Sequence, residues 1–325
     1  MTASVREKQI YGANVEILEQ DNEHMVYQVA DDSGELIMTD YSVFTGINLI
    51  YNDIHACSCS IDRTPFGNIL EINHCREGRV EREYCDEFFY LAPGDLAISQ
   101  RAAAKHTSFF PLSNYHGVTV RIDIDRAPAC LSCFLDDVNV RPDALAKKFC
   151  GLNDTFVMRA RPGMEHIFSE LYSVPESIRK GYFKVKVLEL LLFLSGVKPE
   201  NEQLELHHYS GPQVALAKNV CRYLTANMES KITIAELAAR FRVSQTQIKT
   251  SFRGVYGMSV YAYIRVQKMQ AAAQTLRRTN CTVLEVAGRF GYDNGSKFAK
   301  AFRDVMGLTP NEYRISEIKR SYEDK

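Results

Sequence analysis

Two short runs in the last third of this 325-residue sequence carry side chains suited to reading a nucleic-acid duplex. The first opens at Ser244 and offers Gln245, Thr246, Gln247, Lys249, Thr250 and Arg253. The second opens at Asn294 and offers Gly295, Ser296, Lys297, Lys300 and Arg303. Glutamine, arginine and lysine can reach paired donors and acceptors on base edges in a major groove. The second run is basic and small at its start, which suits phosphate contact as much as base reading. Ile248 and Phe252, and likewise Phe298 and Phe302, recur at helical steps, so each run has one apolar face to bury and one polar face to present.

The elements that must hold these runs repeat at a spacing of about fifty residues. Phe252-Arg253-Gly254-Val255-Tyr256-Gly257-Met258-Ser259, with Tyr263 following, matches Phe302-Arg303-Asp304-Val305-Met306-Gly307-Leu308-Thr309, with Tyr313 following. Each glycine can end a helix in a left-handed conformation. Ser259 or Thr309 can cap the next helix, and Pro310 suits a first helical turn. Upstream, Thr233 caps a helix through Phe241, Arg242-Val243 turns the chain, and Ser244 caps the helix with the first polar face. In the second copy Val283 to Ala287 leads through Gly291-Tyr292, with Asp293 or Asn294 as the cap. Between them Val260 to Arg277 reads as one long helix fixing their separation. Two helix-turn-helix units at a fixed distance can enter successive major-groove segments of one duplex. The bland reading, a solvated charged face on structural helices, fits the repeat less well.

Charge is divided in the same way. Pro212 to Lys325 holds 19 Lys/Arg against 9 Asp/Glu, while the residues before it hold 20 against 31. A basic segment behind an acidic one suggests a polyanion-binding module joined to a domain with another task. All eight histidines precede Pro212, which excludes histidine-ligated zinc fingers from the basic segment.

From about Tyr11 to Arg126 short β-rich runs alternate with turns such as Asp31-Asp32-Ser33-Gly34, Thr64-Pro65-Phe66-Gly67 and Ala92-Pro93-Gly94-Asp95. Such spacing predicts an antiparallel barrel or sandwich. Glu71 to Cys75 and Val80 to Tyr84 read as a hairpin about Glu77-Gly78. Helical spacing follows over Pro142 to Cys150, Gly163 to Tyr172 and Glu176 to Gly196. The last is apolar on more than one side, so Leu188, Leu191 and Leu192 are candidates for a dimer contact, with plain core packing as the alternative. Val197 to Gly211 is polar and reads as a linker. The expected architecture is α+β. An N-terminal regulatory domain spans 1–196, with β-barrel over about 11–126 and helices over about 142–196. A linker at 197–211, an all-α domain with two helix-turn-helix units at 212–316 and a tail at 317–325 follow.

Nine scattered cysteines, an odd number, argue for thiols rather than a disulfide framework. Cys57-x-Cys59 and Cys130-x-x-Cys133 are the close pairs, and neither has a partner pair at zinc-site spacing. His55, His74, His106 and His116 can meet in a barrel, but no His-x-His pair occurs and no carboxylate follows at metal-ligand spacing. Neither a metal nor a cofactor is therefore expected. No run of ~18 apolar residues predicts a membrane span, and the first ten residues lack a signal-peptide core, so the expected location is the cytoplasm.

The region Val214 to Arg314 resembles the AraC/XylS-type transcription regulators. The likeness is strongest from Val286-Ala287-Gly288-Arg289-Phe290-Gly291-Tyr292-Asp293-Asn294-Gly295-Ser296-Lys297-Phe298 through Gly307-Leu308-Thr309-Pro310-Asn311-Glu312-Tyr313-Arg314. It implies a DNA-binding domain of seven helices, behind an effector-binding, dimerising domain of cupin-like β-barrel form. Arg242 and Lys268 stand where the family usually has glycine and arginine, and Gly288 weakens its helix. Asn73-His74-Cys75-Arg76-Glu77-Gly78-Arg79 and Tyr115-His116-Gly117-Val118 look similar to a branch that includes siderophore-responsive regulators.

The expected function is that of a sequence-specific regulator of transcription, an activator by family habit. Its expected partners are double-stranded DNA, a small-molecule effector, RNA polymerase and a second copy of the chain. One alternative is a regulator controlled by a protein partner or by oxidation of Cys57, Cys59, Cys75 and Cys85. Another is a cupin-type metalloenzyme.

Overall fold

In the computed structural model the described residues are 3–61, 68–84, 87–100, 106–131, 140–151, 155–199 and 207–323. The chain divides into two compact units, Met1–His208 and Tyr209–Lys325. In the first, a capped helix α1 (Val5–Tyr11) precedes β1 (Glu16–Gln20), β2 (His24–Asp31), β3 (Gly34–Phe44), β4 (Ile47–Ala56) and β5 (Ser58–Ile61). Then come β6 (Ile69–Gly78), β7 (Val80–Tyr84), β8 (Glu87–Leu91), β9 (Leu96–Gln100), β10 (His106–Phe109) and β11 (Tyr115–Asp123). Helix α2 (Pro142–Cys150), β12 (Thr155–Met158), α3 (Pro162–Leu171), a single 3-10 turn (Glu176–Ile178) and α4 (Arg179–Gly196) complete the unit.

Eight strands form one antiparallel sheet in the order β1-β2-β3-β4-β11-β6-β9-β12, and β5 pairs with β10 and β7 with β8 separately. The cupin-like β-barrel expected over about 11–126 is not what forms: among the described residues the sheet stays open, with β1 and β12 at its two edges. Both its faces are covered. Leu49, Ile72, Leu96, Val118 and Val120 pack beneath the helices with Phe168, Val187, Leu190 and Leu194. Tyr27, Leu36, Met38, Ile50, Ile54 and Ala97 pack on the other side with Phe89, Leu91 and Phe110. With both faces of the sheet covered, even the polar Thr119, Arg121 and Asp123, which alternate with Val118, Val120 and Ile122 along β11, are buried.

Three further expectations change here. The predicted hairpin about Glu77-Gly78 does not form, because both edges of β6 are taken by β11 and β9 while β7 pairs with β8. Gly78 (φ 84°) instead passes the chain from one sheet to the other, close enough that a Cβ there would lie 2.2 Å from the Asn114 carbonyl oxygen. Leu191 is fully buried in the unit's own core, so it cannot serve a dimer contact, whereas Leu188 is part-buried and Leu192, like Ile178 and Val185, is exposed. The residues read as a tail from 317 continue the last helix to Glu323, in a stretch without Gly or Pro. The Thr64 to Gly67 turn, Cys85 and Cys133 lie outside the described residues, and so do residues 200–206 of the predicted linker.

The second unit is helical: α5 (Gly211–Ala226), α6 (Ile234–Phe241), α7 (Gln245–Tyr256), α8 (Val260–Arg278), α9 (Val283–Arg289), α10 (Gly295–Met306) and α11 (Pro310–Glu323). Among the described residues no helix is long and apolar enough to cross a membrane.

Candidate nucleic-acid interface

The helix starts in the second unit are fixed by side chains that the sequence supplies at three-residue spacing. Thr233 and Glu236 form a reciprocal cap on α6: the Thr233 N–H donates to Glu236 Oε2 at 2.7 Å, and the Glu236 N–H to Thr233 Oγ1 at 3.2 Å. Thr282 and Glu285 repeat it on α9 at the same distances, and Thr309 and Glu312 do so on α11. Each satisfies two N–H groups that a helix start otherwise leaves open. Backbone hydrogen bonding from the capping threonine holds the Glu236, Glu285 and Glu312 carboxyls below the ordinary carboxylate range.

Arg242 ends α6 in the left-handed conformation (φ 56°, ψ 44°), so that the Val243 N–H reaches the Ala238 carbonyl at 3.0 Å. Ser244 then starts α7, as expected. The second unit turns at Gly291 (φ 80°), and the Asn294 side chain caps α10 by accepting from Ser296 N and Lys297 N at 2.9 and 3.1 Å. Lys268, on α8, donates to the Phe290 carbonyl at 3.2 Å, tying the long helix to the end of α9. Burial, and next the nearby Lys231, lower its pKa. Its role was not legible from the helical pattern, because the contact spans two elements.

The internal repeat is reproduced side chain by side chain. Phe252 meets Tyr263 edge-on at 5.4 Å and 76°, and Phe302 meets Tyr313 at 5.6 Å and 73°. Phe252, Phe298 and Phe302 have no exposed surface. In the second copy they join Met269, Ala272, Ala273 and Leu276 of α8 and Val286 and Ala287 of α9. Gly254 is buried where its counterpart Asp304 is exposed, because Tyr209 lies so close that a Cβ at 254 would stand 2.2 Å from its ring.

With those faces buried, the opposite faces are outward. Ser244, Gln245, Thr246, Gln247, Lys249, Thr250 and Arg253 are all exposed on or at the start of α7. Asn294, Ser296, Lys297, Lys300 and Arg303 are exposed at α10, and Gly295 is part-exposed. One assignment shifts. Gln247 is the reciprocal capping partner of Ser244, whose N–H donates to Gln247 Oε1 at 3.0 Å while the Gln247 N–H donates to Ser244 Oγ at 3.1 Å. Its oxygen is thereby committed to the helix start, leaving only the amide NH2 outward. The Ser-x-x-Gln spacing carries that signal.

The first unit holds a second feature that sequence reading missed. A half-open cleft of ≈ 540 Å³ is lined by Glu7, Tyr11, Asp21, Glu23, Tyr27, Asp40, Asn48, Arg121, Asp123 and Arg126, among others. At its floor Arg121 donates to Asp40 Oδ2 at 2.7 Å and to the Tyr11 hydroxyl at 2.9 Å, and the Tyr11 hydroxyl donates to the same carboxylate oxygen at 2.6 Å. Asn48 donates to Asp40 Oδ1 at 2.7 Å. Burial, above all, raises the Tyr11 phenol well above its ordinary value. Of the four histidines that a barrel could have gathered, His55 and His116 are neighbours, His74 is buried apart against Phe168, and the His106 side chain lies outside the described residues.

Comparison with known proteins agrees with the architecture of the second unit. A helix-turn-helix domain family matches residues 237–316. The F1 operon positive regulatory protein of Yersinia pestis is 34% identical over 98 residues, 30% of this chain and 33% of that protein. The transcriptional activator AarP of Providencia stuartii is 26% identical over 105 residues, 32% of this chain and 78% of the relative. Among solved structures, the DNA-binding domain of AdpA in complex with a target DNA is 25% identical, covering 32% of this chain and 94% of that one at a TM-score of 0.31. The matched region thus spans about a third of the Yersinia regulator's length.

Proposed function

We propose, from the premise that the second unit is an AraC-type helix-turn-helix domain, that this chain is a sequence-specific DNA-binding transcription regulator controlled through its first unit. The observation that carries the reading is the duplicated one: two equivalent helices, each buried on its aromatic side, turn Gln245, Lys249 and Arg253 or Lys297, Lys300 and Arg303 to solvent. Side chains of this kind bind phosphates and base edges together. Residues 212–316 bind DNA in this account, and residues 1–196 regulate. Activation of transcription with RNA polymerase as partner is part of the proposal, as is a homodimer made through the exposed Leu192 side of α4 with Leu188 at its margin.

The effector site belongs in the cleft around Asp40 and Arg121. Its carboxylates, Glu7, Asp21, Glu23, Asp40 and Asp123, outnumber its arginines, Arg121 and Arg126. A neutral polyol or a cationic molecule suits that lining better than an anion, since like charges raise the cost of binding. Ligand binding there would shift DNA affinity through a coupling of about 1–3 kcal/mol. Oxidation of Cys75 is disfavoured, because burial pushes its thiol up to about 12, where thiolate is scarce, so control by thiol oxidation would fall to the exposed Cys57.

The test is selection by the full chain from a random duplex library. The reading predicts enrichment of one motif with two half-sites about one helical turn apart. Recovery of unrelated sequences after repeated rounds removes the claim of specificity.

A further inference from the structure

In the first unit, strand register brings three metal-ligating side chains to one place. β11 runs antiparallel to β4 with His116 directly opposite Asp53. His55 lies two residues along β4, and the two-residue repeat of a strand puts it on the same face. Asp53 Oδ1 stands 3.0 Å from His55 Nε2 and 3.1 Å from His116 Nδ1. The two imidazole rings are 5.4 Å apart at 74°, and one ligand atom from each residue lies within 4.8 Å of the others.

These separations fit the edges of a coordination shell. Metal–nitrogen and metal–oxygen bonds of about 2.1 Å set ligand atoms about 3.0 Å apart at right angles and about 3.4 Å apart at the tetrahedral angle. The Asp53 Oδ1 atom is itself covered, although the side chain as a whole is 50% exposed, and despite the two nearby nitrogens no donor is aligned to hydrogen-bond it. A carboxylate oxygen buried without a donor is costly. A cation between the three groups would supply the missing partner. The second cluster of this type, Glu19, Asp21 and His24, differs. Its Asp21 carboxylate already accepts the Glu23 and His24 backbone N–H groups, both at 2.7 Å.

We propose that Asp53, His55 and His116 bind one divalent first-row transition cation on the N-terminal unit. Two imidazoles select such ions over magnesium and calcium, which prefer all-oxygen shells. Three protein ligands leave positions for water or for donor atoms of a bound molecule, and the side chains are exposed enough (59% for His55, 31% for His116) for an ion to enter. The sequence hid the set because the carboxylate precedes its histidine and the third ligand comes from a distant strand. The site stands independently of DNA binding.

The test uses the full chain, stripped with a chelator and titrated calorimetrically with Zn²⁺ and with Ni²⁺, with bound metal counted by mass spectrometry. One equivalent should bind the native chain and the His24→Ala variant. His116→Ala should weaken it by more than the 10- to 100-fold typical for loss of a residue that merely supports a ligand. His55→Ala/His116→Ala should abolish it. Metal-free melting temperatures of these variants, equal to that of the metal-free native chain, separate lost ligation from lost folding. Added Zn²⁺ should raise the melting temperature of the native and His24→Ala proteins only. Undiminished uptake by the double variant would assign the ion to other side chains and overturn the proposal. Absence of uptake by the native chain would overturn it too, leaving a His–Asp–His ion cluster.

Discussion

Replacing Gln247 by Glu separates the capping of α7 from the DNA contact proposed for it. Glutamate occupies the same capping position in α6, α9 and α11, where it accepts the backbone N–H of Thr233, Thr282 and Thr309 at 2.7–2.8 Å. The Gln247 carbonyl already makes that contact with Ser244, so the cap should survive and gain from the helix dipole, by about 0.3–1 kcal/mol. The same carboxylate would face the DNA. At ~7 Å from a phosphate, with an effective dielectric constant between ~80 and ~20, repulsion is about 0.6–2.4 kcal/mol, or roughly 3- to 50-fold in affinity. Thermal melting and fluorescence anisotropy on a labelled duplex at low salt measure the two effects. The Glu variant should melt at or above the native temperature yet bind more weakly. Gln247→Ala, which keeps the Ser244 cap but loses the reciprocal contact to the Ser244 N–H, should melt lower by the equivalent of about 0.5–1 kcal/mol. A Glu variant that melts below the native protein, or binds DNA as tightly, refutes the reasoning.

Phe302→Ala opens a cavity in the fully buried cluster with Met269 and Ala287 and should cost about 3–5 kcal/mol in urea unfolding; a loss under 1 kcal/mol contradicts its place there. Arg242→Gly removes a side chain from a left-handed position and should stabilise the second unit by about 0.5–1 kcal/mol, with a lowered melting temperature as the contrary result. His74 is buried against Phe168 at 3.9 Å with both ring nitrogens lacking partners, and burial lowers its pKa from 6.5 to about 4. The unfolded chain therefore takes up the extra proton between those values, so stability is whole above pH 6.5 and declines as pH falls toward 4, by at most ~1.4 kcal/mol per unit. His74→Phe keeps the stack and should flatten that decline; an unchanged slope between pH 7 and 5 assigns it to other groups.

The second unit was legible because its signals are local. The capping pairs lie three residues apart, the helix ends carry Gly257 and Gly307, and the aromatic repeat is written in one stretch of chain. The first unit depends on which strands become neighbours. Glu77-Gly78 has hairpin composition, yet long-range pairing of β6 with β11 decides its role. The Arg121–Asp40–Tyr11 cluster was invisible for the same reason, since its partners are 81 and 110 residues from Arg121. Leu191 and Leu192 are adjacent and chemically identical, and only packing separates the buried one from the exposed one.

The most direct measurement is the salt dependence of DNA affinity for the native chain against one with Lys249, Arg253, Lys297, Lys300 and Arg303 changed to Gln or Ala. Each phosphate neutralised contributes about −0.9 to the slope of log affinity against log salt concentration. The native chain should show a steep negative slope, and the variant a slope flatter by about 3 to 5. Equal slopes, or native affinity indifferent to salt, would mean that the two polar faces do not meet DNA.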